Sequence, residues 1–123
     1  MRSDRDLALI VEARLPLVAV EMLSSHGISD EEIYTLVIPE RSLAHRRAHG
    51  ELLTQNESER AVRLVRVVAL AEEVFGDDVK AHRWLRKQKS RLCGHSPLES
   101  MQSQEGTSLV EEMLLQLDNG FAA

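Results

Sequence analysis

Five histidines and a single cysteine are the side chains of this 123-residue chain best suited to hold a metal or attack an electrophile. His45 and His49 stand four apart, which on a helix puts both rings on one face, a spacing that zinc ligands use. No nearby glutamate completes a metalloprotease signature, and two ligands seldom make a site, so no metal is expected. Cys93 and His95 could pair as nucleophile and base, but no third group is identifiable to orient the base. A small thiol in a loop or the core is the favoured reading of Cys93. Glu72-Glu73 and Glu111-Glu112 are neighbours on helices, so each pair points in different directions and cannot share one substrate. The chain has no glycine-rich phosphate loop. Trp84, at helical spacing with Ala81 and Leu85, reads as core before it reads as a ligand platform. These residues predict no catalysis and no cofactor.

A different chemistry is concentrated in PERSLAHRRAHG (39–50), where Arg41, His45, Arg46, Arg47 and His49 cluster although the chain as a whole carries a net charge of -5. The arginine fork donates two parallel hydrogen bonds, which suits phosphates and guanine edges. The plain alternative is a solvated basic helix face. The setting favours DNA. Ser29 and Glu32 form a capping box that opens SDEEIYTLV, and Pro39 biases Ile38 away from helical angles. A capped helix, a tight turn and a basic helix give helix-turn-helix geometry, with the early residues of the second helix facing bases. Arg41, Ser42, His45, Arg46 and Arg47 are the candidate DNA-binding residues. Lys80, Arg83, Arg86, Lys87, Lys89 and Arg91 make a second basic region, for which a solvated face is the simpler reading.

The elements that must position these residues are helices. The chain is 43% hydrophobic but only 3% aromatic, so its core must be aliphatic. One cysteine excludes an internal disulfide framework and fits a reducing cytoplasm. The N-terminus mixes acids among its apolar residues, unlike an export signal, and no membrane span is expected. Residues 4–13 read as a short amphipathic helix, and Pro16 suits the first turn of a helix ending near Gly27. The longest element is TQNESERAVRLVRVVALAEEVFG (54–76), opened by a Thr54/Glu57 capping box and closed by Gly76. It is apolar at most positions from Ala61 onward, so it should need neighbours on several sides. Asp77 or Asp78 caps the next helix, Ser96 and Pro97 open a short one, and Thr107 caps the last, which ends at Gly120.

In this order the residues resemble antitoxins of the Xre/MbcA/ParS type. VIPERSLAHRR (37–47) is similar to the family's recognition-helix signature. GELLTQNESERAVRLVRVVALAEEVFG (50–76) is the most specific block. Ala81, Trp84 and Leu85, then Pro97, Leu98 and Glu99, then Gly106, Val110, Gly120 and Phe121 continue the series. The resemblance implies an all-α protein. An N-terminal Xre-like helix-turn-helix DNA-binding domain (1–53) would be joined by the long central helix to a helical C-terminal toxin-binding domain (54–123).

It further implies a non-enzymatic antitoxin that occludes the active site of a cognate RES-domain toxin, a protein of ADP-ribosyltransferase-like fold that consumes NAD, and that represses its own operon. Trp84, Arg86, Leu117, Gly120 and the apolar tail Phe121, Ala122 and Ala123 are the candidate toxin-binding residues. The implied partners are the toxin, operator DNA and a second copy of the chain within a hetero-oligomeric complex in the cytoplasm. The alternative is a stand-alone helix-turn-helix transcriptional regulator, whose site would be the basic helix alone.

Overall fold

A computed structural model of the chain describes residues 14–120. The helix expected over residues 4–13 and the tail Phe121, Ala122 and Ala123 lie outside that range. Among the described residues the α-helices are α1 (Val18–Ser25), α2 (Asp30–Leu36), α3 (Glu40–His49), α4 (Gln55–Phe75), α5 (Asp78–Arg86), α6 (Pro97–Ser100) and α7 (Gln104–Asp118), with one 3-10 turn at Ser90–Leu92. No strand occurs among them. The chain divides into two compact units, 1–63 and 64–123, and the division falls inside α4. None of these helices is long and apolar enough to cross a membrane.

In the first unit, α1 turns Val20 and Leu23 inward and packs on α2. Pro16 stands just ahead of α1, and its carbonyl accepts from Ala19 in the turn that starts the helix. Ser29 and Glu32 exchange hydrogen bonds at 2.9 and 3.2 Å, satisfying two of the orphan donors at the start of α2. That helix stops at Leu36, as the proline three residues on requires. The turn to α3 is buried at Val37 and Ile38. It needs no glycine, because Val37 sits at φ −118°. Arg60, on α4, donates from Nε to the Val37 carbonyl at 2.9 Å, so the turn is held from behind. Leu43 is the residue by which α3 enters the core.

Thr54 and Glu57 cap α4 as their spacing predicts, with hydrogen bonds of 2.8 and 3.1 Å. The buried positions of α4 are Glu57, Ser58, Ala61, Val62, Leu64, Val67, Val68 and Ala71. They form a stripe at helical spacing rather than a helix covered on all sides. Val65 is exposed, and Leu70, Val74 and Phe75 are half-buried. Leu53, fully buried just before the cap, pairs its N–H with the Leu15 carbonyl, and Arg14 donates to its carbonyl.

In the second unit α5 packs on α6, and α6 on α7. Asp77 caps α5, accepting from the amides of Val79 and Lys80. Ala81, Trp84 and Leu85 are its buried stripe. Ser96 and Glu99 form a third capping box, with Pro97 in the first turn of α6. The last helix departs from expectation: Ser103, not Thr107, is its cap, and it begins at Gln104. The Ser103 hydroxyl accepts from the Gly106 amide at 3.0 Å. Thr107 is fully buried one turn in, donating its hydroxyl to the Ser103 carbonyl. Gly106 is helical because it must be small, not because it breaks the helix. A Cβ there would stand 1.8 Å from the Ser100 carbonyl oxygen. Val110, Met113 and Leu114 complete the buried face of α7, and Arg66 of α4 reaches Glu111 at 3.3 Å.

Candidate nucleic-acid and partner-binding surfaces

On α3 each residue advances about 100° around the axis. With Leu43 inward, Arg41, Ala44, His45 and Ala48 fall on the opposite side, and all four are exposed. Arg41 and His45, four apart, are the chemically active pair of that face. Ser42 is half-buried on one flank. Arg47 is exposed on the other, close to Leu43, where it lines a shallow hollow with Val20, Ile33 and Tyr34.

Arg46 plays a different part. Its Nε and Nη2 donate to the two carboxylate oxygens of Glu57, each at 3.0 Å. Its Nη1 lies 3.8 Å from Glu51. The Glu57 side chain is 7% exposed and that of Arg46 18%. Burial alone would push the Glu57 carboxyl up. The hydrogen bonds from Arg46 and from the Thr54 amide, with the Arg46 charge, outweigh burial and hold it below the usual carboxylate range. The same bond from Glu57 raises Arg46 against the opposing effect of burial. One carboxylate thus closes the cap of α4 and clamps α3 to it, which fixes the angle at which Arg41 and His45 are presented. Sequence spacing located Glu57 as a cap residue but gave no sign of Arg46 as its partner, because that contact joins two helices across a loop.

In the second unit Trp84 is a core residue. Its ring lies 5.9 Å from that of Phe75, tilted by 46°, and the Lys89 ammonium sits 5.1 Å from its centroid. Burial, then the nearby Lys87 charge, lowers the Lys89 ammonium below its ordinary value. Lys87, Gln88, Lys89, Ser90 and Arg91 line an open, basic hollow of about 250 Å³ floored by Met113. Arg91 reaches across to Gln116 on α7 at 2.7 Å. Arg86 is exposed and lies 3.3 Å from His82, whose other ring nitrogen meets Glu72 at 3.0 Å. Leu117 is half-buried near the end of α7, and Gly120 is exposed in the left-handed conformation. Of the residues nominated from sequence for toxin binding, Arg86 and Gly120 are exposed, Leu117 is half-buried and Trp84 is buried in the core. Cys93 and His95 are both exposed, on the turn between the 3-10 segment and α6.

Residues 6–66 match the antitoxin Xre-like helix-turn-helix domain. Residues 70–120 match the antitoxin Xre/MbcA/ParS C-terminal toxin-binding domain. A Pseudomonas putida protein named Antitoxin Xre is 45% identical over 99 residues, 80% of this chain and 62% of that protein. A Yersinia enterocolitica protein of the same name is 37% identical over 84 residues, 68% of this chain and 57% of that protein. The chain thus spans roughly three fifths of the length of the curated relatives it matches.

Proposed function

Because the chain belongs to the Xre/MbcA/ParS antitoxin family, we propose that it neutralises a cognate RES-domain toxin by occluding its active site and represses its own operon by binding operator DNA. The observation that carries this reading is the succession, along one chain, of a helix-turn-helix domain and a toxin-binding domain. It acts by binding and not by catalysis, in the cytoplasm, where its operator is.

In the first unit, Arg41 and His45 present donors and an imidazole away from the core, with Arg47 on the flank for phosphate. Arg46 is the anchor. A helix reading the major groove is useful only if its inclination is fixed, and the bidentate pair with Glu57 supplies that. Paired half-sites would require a second copy of the chain.

In the second unit, Arg86, Leu117 and Gly120, with Phe121, Ala122 and Ala123, are the residues this reading assigns to the toxin. An apolar tail already anchored by a helix can enter a cleft at small entropic cost. The toxin's NAD pocket is the cleft this reading assigns to it.

Co-expression tests the proposal. The chain should restore growth of cells making the RES-domain protein encoded beside it and should co-purify with that protein. Growth arrest unchanged by the chain, with both proteins soluble, would refute the antitoxin reading and leave the stand-alone regulator.

A further inference from the structure

The C-terminal end of α3 brings together a group that sequence spacing alone did not complete. His45 and His49 stack one helical turn apart, ring centroids 4.2 Å from each other and tilted by 33°. Gly50 is in the left-handed conformation at φ 62° and reverses the chain, and the Glu51 amide closes the turn on the Arg46 carbonyl at 3.0 Å. That reversal carries the Glu51 carboxylate to 3.6 Å from His45 Nε2. One ligand atom from each of His45, His49 and Glu51 lies within 4.8 Å of the others, and all three residues are exposed.

A second observation concerns the tautomer of His49. Its Nδ1 is 2.9 Å from the His45 carbonyl oxygen. A carbonyl only accepts, so Nδ1 carries a proton, and in the neutral ring Nε2 is the nitrogen with the lone pair. A backbone carbonyl behind the ring is the arrangement that orients metal-bound histidines.

We propose that His45, His49 and Glu51 form a site for a borderline first-row divalent cation, of which Zn²⁺ is the natural occupant. Two imidazoles and one carboxylate suit such an ion, and a water would take the fourth position. Mg²⁺ and Ca²⁺ prefer oxygen-only shells and should be rejected. Two ligands about 2.05 Å from a tetrahedral ion stand ~3.3 Å apart. Side-chain rotation closes the difference, and exposed side chains can rotate. The last carbonyls of α3 add favourable negative potential. The competing cation is Arg46, but its contact with Glu51 at 3.8 Å is the longer one, since Nε and Nη2 are held by Glu57 at 3.0 Å. An incoming ion displaces that looser contact and leaves the clamp in place.

The site stands on this geometry and not on the DNA reading. If α3 does read DNA, the ion engages His45 on the outward face and joins metal supply to operator occupancy.

Calorimetric titration of the full chain tests the site. A Cys93→Ser background removes the cysteine thiol as a rival ligand. Zn²⁺ should bind one per chain, and Mg²⁺ should give no heat. His49→Gln and Glu51→Gln should each weaken Zn²⁺ binding at least about tenfold, with unchanged helical circular dichroism. Zn²⁺ affinity in both variants equal to that of the parent, or no binding by the parent with the ion in large excess, would overturn the inference.

Discussion

Replacing Glu57 by glutamine probes the clamp between α3 and α4. The glutamine keeps the size of the side chain and can still accept from the Thr54 amide, so the cap of α4 survives. What disappears is the charge opposite Arg46. Hydrogen bonds to charged groups contribute about 1.5–3 kcal/mol, and removing one partner of a fully buried ion pair costs about 3–5 kcal/mol. Arg46 keeps 18% of its side chain exposed and can turn partly to water, which discounts the upper figure. The expected loss is therefore about 2–3 kcal/mol from the first unit, a fall in its melting temperature of about 10–20 °C for a unit of this size.

The pH dependence has a definite sign. The folded Glu57 carboxyl titrates below its ordinary value of 4.5. Its contribution is present above that value and is lost as pH falls through the folded one. Urea unfolding followed by circular dichroism at neutral pH and again below pH 4 measures both effects. Glu57→Gln should be much less stable than the parent at neutral pH and close to it in acid. The parent keeps some acid sensitivity from Glu99, whose carboxyl is lowered by hydrogen bonds from the Ser96 amide and hydroxyl. A neutral-pH loss below about 0.5 kcal/mol would place the pair among ordinary surface ion pairs and remove the clamp.

Three further outcomes follow from other residues. Arg41→Ala should lower the salt slope of operator binding by about one while leaving stability unchanged; an unaltered slope would mean that Arg41 touches no phosphate. Gly106→Ala would ordinarily strengthen a helix by about 1 kcal/mol, yet here the added methyl meets the Ser100 carbonyl oxygen at 1.8 Å, so thermal melting should show a net loss of about 1–2 kcal/mol. Stabilisation would show that α6 and α7 are not in such close contact. Removing residues 121–123 should weaken toxin neutralisation in a growth assay without affecting solubility, and undiminished protection would confine the binding surface to the helices.

Local chemistry made much of the fold legible in the sequence. The pairs Ser29/Glu32 and Thr54/Glu57 are each read within four residues and each form as spaced, and Ser96 caps its helix as expected. Gly50 and Gly76 stop their helices because each takes the left-handed conformation. The features that escaped are set by tertiary contact. Gly106 looks like a breaker in sequence but is a point of close approach to α6, so the last helix runs through it and takes its cap from Ser103, not Thr107. The run of valines in α4 suggested cover on several sides, whereas Val65 is exposed. In the basic helix, composition could not separate Arg46, which binds Glu57, from Arg41, which faces outward. The helical period together with an inward Leu43 makes that separation. Glu51 was invisible as a partner of His45 because the approach depends on the reversal at Gly50.

The role proposed for the second unit is inhibition of an NAD-consuming enzyme. The direct measurement is NAD hydrolysis by the purified cognate RES-domain toxin as the full chain is added in increasing amounts. Activity should fall linearly to a stoichiometric end point and should be restored when Arg86 and Leu117 are both replaced by aspartate in a folded variant. Toxin activity that stays constant through a molar excess of the chain would contradict the account.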